Sequence, residues 1–196
     1  MLRPLLRVEV ATILRLDLTQ PMPEAVADAP LEARVASRTE VLEEVARLLQ
    51  PPDPSKRALF ARRLDCGFRC FVGRVDGRVV AYNWTQYKPG EDAGTYVDLR
   101  PGEVHCLDAY TAVDFRGKNI HAALLREMLL FNAGLGCRYA YSRVSSTNRR
   151  SPKAHRRLGW ERTGRVLRAT WHGGPVISLL GSAHPWRRLR PGGPRS

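Results

Sequence analysis

The dipeptide Asp76-Gly77 separates two runs of aromatic and β-branched residues, and it is the feature that most restricts how this chain can fold. The runs cover residues 68–75 and 78–87. Asp-Gly readily takes the positive φ angles of a two-residue hairpin turn, and residues of these types favour strands. The sequence therefore predicts an antiparallel hairpin at this point.

The residues before the hairpin predict one strand and two helices. Residues 8–18 alternate imperfectly between apolar and polar types, which indicates a strand. From residue 31 to residue 49 the apolar side chains recur at helical spacing until a proline pair ends the pattern, so an amphipathic helix is expected there. Asp53-Pro54 then offers a cap and a first-turn proline for a shorter helix that ends near Gly67.

The residues after the hairpin alternate between strand and helix patterns. A stretch rich in Gly, Pro and Asp, residues 88–102, predicts a loop long enough to cover a site. The further expected elements are a strand over 103–113, a polar turn over 114–119, a helix from Ile120 to Gly134 or Gly136, a strand over 138–146, a short helix over 151–158 and strands over 160–170 and 176–180. This order predicts a mixed α/β fold.

The length of 196 residues is typical of one domain that can bury a core without disulfides or a structural metal. We assign residues 1–181 to this domain and residues 182–196, rich in Pro, Gly and Arg, to a disordered basic tail. The four cysteines are scattered, so we expect reduced thiols and no metal site. No signal-peptide pattern and no apolar run of membrane-spanning length appears, which favours a cytoplasmic protein without a membrane partner.

Lys and Arg number 32 against 19 Asp and Glu, a formal net charge of +13. A protein with this net positive charge attracts anions such as coenzyme phosphates, nucleotides, acidic carrier proteins or nucleic acid. Much of the excess is local, in residues 149–157 and in the tail, so a solvated basic face explains part of it. The net charge alone does not decide which of these partners the protein binds.

The turn that precedes the helix from Ile120 could hold a phosphate, because a helix N-terminus presents backbone N–H groups without intrahelical partners. Its residues, Arg116-Gly117-Lys118-Asn119-Ile120-His121, resemble the pyrophosphate loop of the GNAT superfamily of acetyltransferases. That loop has the form Arg or Gln, two variable residues, Gly, one variable residue, then Gly or Ala. Asn119 and His121 stand here where the family has small residues.

A second stretch carries the same resemblance. Asn148, Ala154 and Leu158-Gly159-Trp160 are similar to the family's later motif, which has Asn, a small residue, Tyr and then Leu-Gly-Phe. His155 stands in the position of the tyrosine. The two motifs and the order of the elements extend the resemblance over roughly residues 8 to 180.

The resemblance implies a single-domain GNAT-like fold in which helices flank a central, mostly antiparallel, twisted sheet. It also implies acetyl-CoA, or another acyl-CoA, as co-substrate. The pantetheine arm would pair with the strand before the loop, and the pyrophosphate would lie on the loop. The residues expected to bind the coenzyme are Thr111, Ala112, Val113, Arg116, Gly117, Lys118, Asn119, Ile120, His121, Ala122, Asn148 and Ser151.

Acyl transfer to an amine needs an uncharged amine, a stabilised oxyanion and a proton for the departing thiolate. By its position His155 would supply that proton. Glu103 is the first candidate for the base, because its distance from Arg116 matches the catalytic glutamate of the protein-acetylating branch; His105 and Asp108 are its rivals. Asp108 would face away from Glu103 and His105 unless a bulge intervenes.

The expected reaction is transfer of an acyl group to a primary amine of a small molecule in a ternary complex, by a monomer or homodimer. Trp84 and Tyr87 on the hairpin are candidates to line the acceptor pocket, although aromatic residues in strands more often belong to the core. The net positive charge argues against a polycationic acceptor.

Two alternatives stay open. In the first, the acyl donor is an acidic acyl carrier protein that docks against the arginines at positions 149, 150, 156 and 157. In the second, the domain is a non-catalytic module that binds nucleic acid or another anion through its basic surface, with Asn119 and His121 as the signs of lost coenzyme binding. No helix-turn-helix or aromatic-basic pattern supports nucleic acid as a partner.

Overall fold

The computed structural model describes residues 6–49, 53–92, 95–148, 151–171 and 184–185. Within them the chain forms nine strands and four α-helices. The strands are β1 Leu6–Asp17, β2 Glu32–Val35, β3 Arg69–Val75, β4 Arg78–Gln86, β5 Gly90–Asp92, β6 Thr95–Val97, β7 Glu103–Thr111, β8 Tyr139–Ser145 and β9 Glu161–Trp171. The helices are α1 Arg38–Glu43, α2 Pro54–Asp65, α3 Ile120–Gly134 and α4 Ser151–Arg157.

The hairpin predicted around Asp76-Gly77 is confirmed as β3 and β4. Asp76 has a φ angle of 50° and Gly77 one of 73°, the left-handed conformation that this kind of turn requires. The strands pair from Val75 opposite Arg78 to Arg69 opposite Thr85. Local turn chemistry therefore determines the pairing of β3 with β4.

The single helix expected over residues 31–49 is wrong. Its first part is strand β2, which pairs antiparallel with β3, and helix α1 starts only after Ser37. The hydroxyl of Ser37 accepts a hydrogen bond from the backbone N–H of Glu40, at 3.2 Å. A serine followed three residues later by a glutamate is a signal for a helix start, and it marks the boundary that apolar spacing alone did not.

Seven of the strands form one sheet in the order β2-β3-β4-β7-β8-β1-β9. Neighbouring strands run antiparallel except β7 and β8, which are parallel. Strand β1, the first in the chain, lies between β8 and β9 near the other end of the sequence. This is the mixed α/β fold with a central, mostly antiparallel sheet flanked by helices that the sequence predicted.

Helix α3 is held on the sheet by a continuous apolar face. Leu124, Leu125, Met128 and Leu129 are each at most 1% exposed and pack against residues of several strands. Complete burial of such a side chain contributes about 1.5–3 kcal/mol. The N-terminus of α3 is therefore fixed relative to β7 and β8, which matters for the site.

The stretch 88–102, expected to be a loop, contains the small hairpin of β5 and β6. Val97 and Leu99 bury their side chains beside Tyr141 of β8. The strand predicted over 176–180 lies outside the described residues, as does most of the predicted tail. The described tail residue Pro185 accepts a hydrogen bond from the backbone N–H of Asp98, at 2.7 Å.

No helix in the described part of the chain is both long enough and apolar enough to cross a membrane.

Candidate active site

Strands β7 and β8 separate in the middle of the sheet. Their parallel pairing runs from Glu103 opposite Tyr139 to Cys106 opposite Ser142, and within the described residues it continues no further. Beyond this point residues of both strands line a cavity of about 1220 Å³. A sheet that divides in this way exposes backbone N–H and C=O groups that an extended ligand can use.

A bulge in β7 shapes one wall of the cavity. Trp84 pairs with Leu107 and Tyr82 with Tyr110, so two residues of β7 face one residue of β4. Asp108, within the bulge, has a φ angle of 46°. The sequence predicted that Asp108 would face away from Glu103 and His105 unless a bulge intervened, and the structure has a bulge at this position.

The carboxylate of Asp108 is held by two cations of α2. Its Oδ2 atom lies 2.6 Å from Nη1 of Arg63 and 3.2 Å from Nζ of Lys56. Arg63 is buried and also binds both carboxylate oxygens of Asp92 in β5, at 2.9 and 2.7 Å. Asp108 therefore lines the cavity as part of an ion-pair network.

The cavity ends at the N-terminus of α3. Gly117 has a φ angle of 84°, and a Cβ atom placed on it would meet nothing within 4 Å. Asn119, the residue before the helix, has a φ angle of 55°, and its side-chain amide donates to the carbonyl of Val26. The N–H groups of the first helical turn have no intrahelical partners, and the helix dipole adds partial positive charge.

Two arginines brace this loop. Nε of Arg116 donates to the carbonyl of Thr111 at 3.1 Å, and its guanidinium lies 5.4 Å from the ring centre of Tyr110. Nη1 of Arg157 donates to Oδ1 of Asn119 at 3.4 Å. Both arginines line the cavity, so the end next to α3 is suited to a ligand with negative charge.

Most of the residues that the sequence predicted to bind the coenzyme line this one cavity. They are Thr111, Arg116, Gly117, Asn119, Ile120, His121, Ala122 and Asn148. Ala112, Val113 and Lys118 belong to the same loop but are not among the lining residues. Ser151 begins α4, and its side chain is outside what the structure describes.

His121 and His155 bring two imidazoles to this cavity, with ring centres 6.4 Å apart. Burial lowers the pKa of His121 to about 4, and the neighbouring His155 adds to the shift. His121 is therefore uncharged at neutral pH in the ligand-free protein. Its bulk occupies the place where the resemblance implied a small residue.

His155 makes a polar contact that the sequence did not reveal. Its Nε2 atom lies 3.2 Å from the hydroxyl oxygen of Ser142, and its ring packs edge-on against Trp160 with ring centres 4.9 Å apart. His155 and Ser142 are 5% and 6% exposed, and both line the cavity. A serine within a strand pattern gives no signal for such a role, so Ser142 was not predicted.

Glu103 and His105 are not among the residues that line the cavity. Glu103 is buried; its carboxylate accepts from the backbone N–H of Arg100 at 2.8 Å, from the hydroxyl of Tyr141 at 3.3 Å and from Nε2 of His184 at 2.6 Å. Asp108 and His155 therefore both line the cavity, whereas Glu103 belongs to a polar cluster outside its lining.

His105 lies 3.2 Å from Oε1 of Gln86 through its Nδ1 atom. The amide nitrogen of Gln86 donates to the carbonyls of Lys88 and Gly90, so its oxygen faces the histidine, and Nδ1 is the donor. Burial lowers the pKa of His105 to about 3, and the positive charge of Arg143 acts in the same direction. His105 is a neutral, buried histidine.

The two aromatic residues proposed for an acceptor pocket belong to the protein interior. Trp84 is fully buried and packs against Phe60 of α2, with ring centres 5.1 Å apart. The hydroxyl of Tyr87 donates to Oδ1 of Asn132 in α3, at 2.6 Å. Neither lines the cavity, because Trp84 of β4 and Tyr87 just after it pack into hydrophobic clusters between the sheet and its helices.

A sheet that divides beside a helix N-terminus forms a cavity suited to a long ligand with negative charge at one end. A family model described as the acetyltransferase (GNAT) family matches residues 38–160. The chain belongs to this family. A sequence comparison with curated proteins gives no significant match.

Solved structures agree on the fold. A GCN5-related N-acetyltransferase from Sphaerobacter thermophilus is 22% identical, with a TM-score of 0.57 over 84% of this chain and 52% of that one. A GNAT-family protein from Novosphingobium aromaticivorans is 23% identical, with a TM-score of 0.56 over 85% of this chain and 66% of that one. The present chain thus spans between about half and two thirds of the length of these two proteins.

A third structure is shorter and contains a ligand. The aminoglycoside N-acetyltransferase AAC(6')-Iy in complex with CoA is 24% identical, with a TM-score of 0.55 over 68% of this chain and 89% of that one. Similarity at this level establishes a shared fold.

Among the described residues no group of three or more His, Cys, Asp or Glu side chains is placed to hold a metal ion.

Proposed function

We propose that this protein transfers an acyl group, acetyl in the simplest case, from acyl-CoA to the primary amine of a small molecule, by direct attack in a ternary complex. The observation that carries the proposal is the separation of β7 and β8 beyond Cys106 and Ser142, which opens a cavity that ends at the N-terminus of α3.

The two ends of the cavity suit different parts of acyl-CoA. The diphosphate fits the turn at Gly117, where a glycine leaves the backbone open and the first-turn N–H groups of α3 can donate. Arg116 and Arg157 add positive charge at this end. The pantetheine arm fits along the bulged part of β7, where its amide groups can pair with backbone that β8 no longer covers.

The thioester would then lie where the two strands part. Both Cys106 and Ser142, the last paired residues, line the cavity at this point, and so does His155. The thiol of Cys106 is buried and its pKa is raised well above the usual value, so it is not suited to act as a nucleophile. This favours direct attack by the amine over a covalent acyl-enzyme.

The acceptor would approach the thioester along the wall that carries Asp108. The carboxylates of Glu9 and Asp108 and the guanidinium of Arg143 line the cavity together. A carboxylate beside the reacting centre can hold an amine by a charge-assisted hydrogen bond before the amine loses its proton. A small monoamine suits this mixed lining better than a polycation does.

Turnover tests the proposal. Purified protein is incubated with acetyl-CoA and a panel of primary amines, and free thiol is followed continuously; the same panel is run with acetyl-pantetheine, which lacks the diphosphate. We expect amine-dependent thiol release with acetyl-CoA and a kcat/KM at least about a hundredfold lower with acetyl-pantetheine, because two or three charge-assisted hydrogen bonds are lost.

Equal activity with both donors would contradict the place assigned to the diphosphate and favour an acyl carrier protein as the donor. Absence of amine-dependent thiol release with every acyl-CoA and amine tested would contradict the proposed function itself.

A further inference from the structure

We propose that Ser142 and His155 form one proton shuttle that serves as both base and acid, with Ser142 as the residue that touches the reacting atoms. The inference rests on the proposed acyl transfer. It names a catalytic hydroxyl that neither the resemblance nor the motifs assign.

The position of Ser142 supports this role. It is the last residue of β8 that pairs with β7, so its side chain lies at the point where the cavity opens between the strands. Its hydroxyl lies 3.2 Å from Nε2 of His155, a distance compatible with a hydrogen bond. Both residues are almost completely buried, yet both line the cavity.

The other titratable candidates are placed less well. Glu103 and His105 do not line the cavity, and His105 is buried with its Nδ1 bonded to Gln86. Asp108 does line it, but its Oδ2 atom is already bound by Arg63 and Lys56. Compared with these three candidates, the pair of Ser142 and His155 combines access to the cavity with an imidazole that can both accept and return a proton.

A second imidazole lies near His155. The described residues of α3 and α4 contribute no carboxylate to the lining of the cavity. His121 of α3 is the neighbouring titratable group, and Trp160 packs against the ring from the start of β9. Arg157 of α4 and Arg143 of β8 bring positive charge to the same cavity. In the described residues, the surroundings of His155 and of the cavity thus contain a second imidazole, an indole ring and two arginines.

Starting from the uncharged amine, the proton balance closes without any other group; an acceptor that arrives as an ammonium ion first gives its extra proton to water. The amine attacks the thioester carbonyl, which forms the C–N bond and moves the π electrons to oxygen. The amine proton passes to Oγ of Ser142 while the proton of Ser142 passes to Nε2 of His155. The carbonyl then re-forms and the C–S bond breaks; Ser142 gives its proton to the thiolate and regains one from His155. The products are the amide and free CoA thiol.

The test compares Ser142→Ala, His155→Ala and the double variant with wild type. For each protein we measure kcat, the pH profile of kcat and, by calorimetry, the Kd for acetyl-CoA. We expect kcat to fall about a hundredfold or more in each single variant, and no further in the double variant, since both remove one function. The Kd should change by no more than about twofold.

Two further variants separate the shuttle from a structural role. Ser142→Thr keeps a hydroxyl and should retain a larger kcat than Ser142→Ala. Ser146→Ala makes the same change at an exposed position just after β8 and should leave kcat unchanged. The acidic limb of the pH profile should disappear in both Ser142→Ala and His155→Ala, because it reports protonation of His155.

A kcat within about threefold of wild type in Ser142→Ala, or a double variant whose loss is the product of the single losses, would overturn the shuttle while leaving acyl transfer intact. Inactive wild-type protein would overturn the proposed function and the shuttle with it. Matched urea unfolding of all variants guards against a folding defect.

Discussion

Arg63 of α2 and Asp108 of β7 form an ion pair of 2.6 Å at the bulge beside the cavity. The side chain of Arg63 is 4% exposed, and its guanidinium lies over the rings of both Phe60 and Trp84. It also binds Asp92 at 2.7 Å. One buried cation thus joins α2, β5 and β7, and it keeps the bulge in place.

Replacing Arg63 by Ala should destabilise the protein by about 3–5 kcal/mol, because Asp92 and Asp108 would lose their shared partner and remain partly buried. Urea unfolding monitored by fluorescence measures the change. The adjacent Arg62, which is exposed, provides the control, and Arg62→Ala should stay within about 0.5 kcal/mol of wild type. Equal effects of the two substitutions would contradict the structural role of the ion pair.

His105 should make stability depend on pH. Burial holds its pKa at about 3 in the folded protein, against about 6.5 when unfolded. Between these values the unfolded chain binds a proton that the folded chain does not, so the free energy of unfolding decreases as the pH falls from 6.5. The slope from this residue reaches about 1.4 kcal/mol per pH unit, and above pH 6.5 it contributes none.

The comparison of wild type with His105→Gln isolates this contribution, since the carboxylates titrate equally in both proteins. Urea unfolding at pH 7.5, 6.5, 5.5 and 4.5 gives the free energy of unfolding, which should decline less steeply with falling pH in the variant. If the plots of unfolding free energy against pH are parallel for the two proteins, protonation of His105 does not destabilise the folded state and the prediction is wrong.

Gly117 should be sensitive to any side chain, although space is available around it. Its φ angle of 84° is unfavourable for an L-residue, while a Cβ would meet no atom within 4 Å. Gly117→Ala should therefore cost about 1–2 kcal/mol through backbone strain. It should also weaken acetyl-CoA binding, because relaxing the strain moves the turn that precedes α3.

Gly134, the last residue of α3, is the matched control, since a Cβ there also meets nothing within 4 Å and no positive φ angle is involved. Gly134→Ala should stabilise the protein by about 0.5–1 kcal/mol and leave acetyl-CoA binding unchanged. Thermal unfolding and calorimetry on both variants check the pair. Destabilisation by both substitutions would point to packing instead of backbone conformation.

Elements with strong local signals could be predicted from the sequence. The turn at Asp76-Gly77 and the helix that begins at Ile120 each depend on neighbouring residues, and both were correct in type and position. Strand β2 was missed because the apolar residues between 31 and 35 fit a helical period as well as a strand; pairing with β3 decides between them. The place of β1 between β8 and β9 depends on contacts that no local pattern contains.

The residues that line the cavity could be predicted where they belong to a motif and not where they depend on tertiary geometry. The loop from Arg116 to His121 does lie at the end of the cavity. Glu103 was chosen by its spacing from Arg116, but spacing along a bulged strand does not determine which side chains face the cavity. The contact between Ser142 and His155 joins β8 to α4, and it follows from how these two elements pack.

Calorimetric titration of the purified protein with acetyl-CoA measures whether the cavity between β7 and β8 binds acyl-CoA. We expect saturable binding of one acetyl-CoA per chain with a Kd in the range of about 1–100 μM, weakened in Gly117→Ala and unchanged in Gly134→Ala. A titration that gives no binding heat up to high micromolar acetyl-CoA, for the wild-type protein at several temperatures, would contradict it.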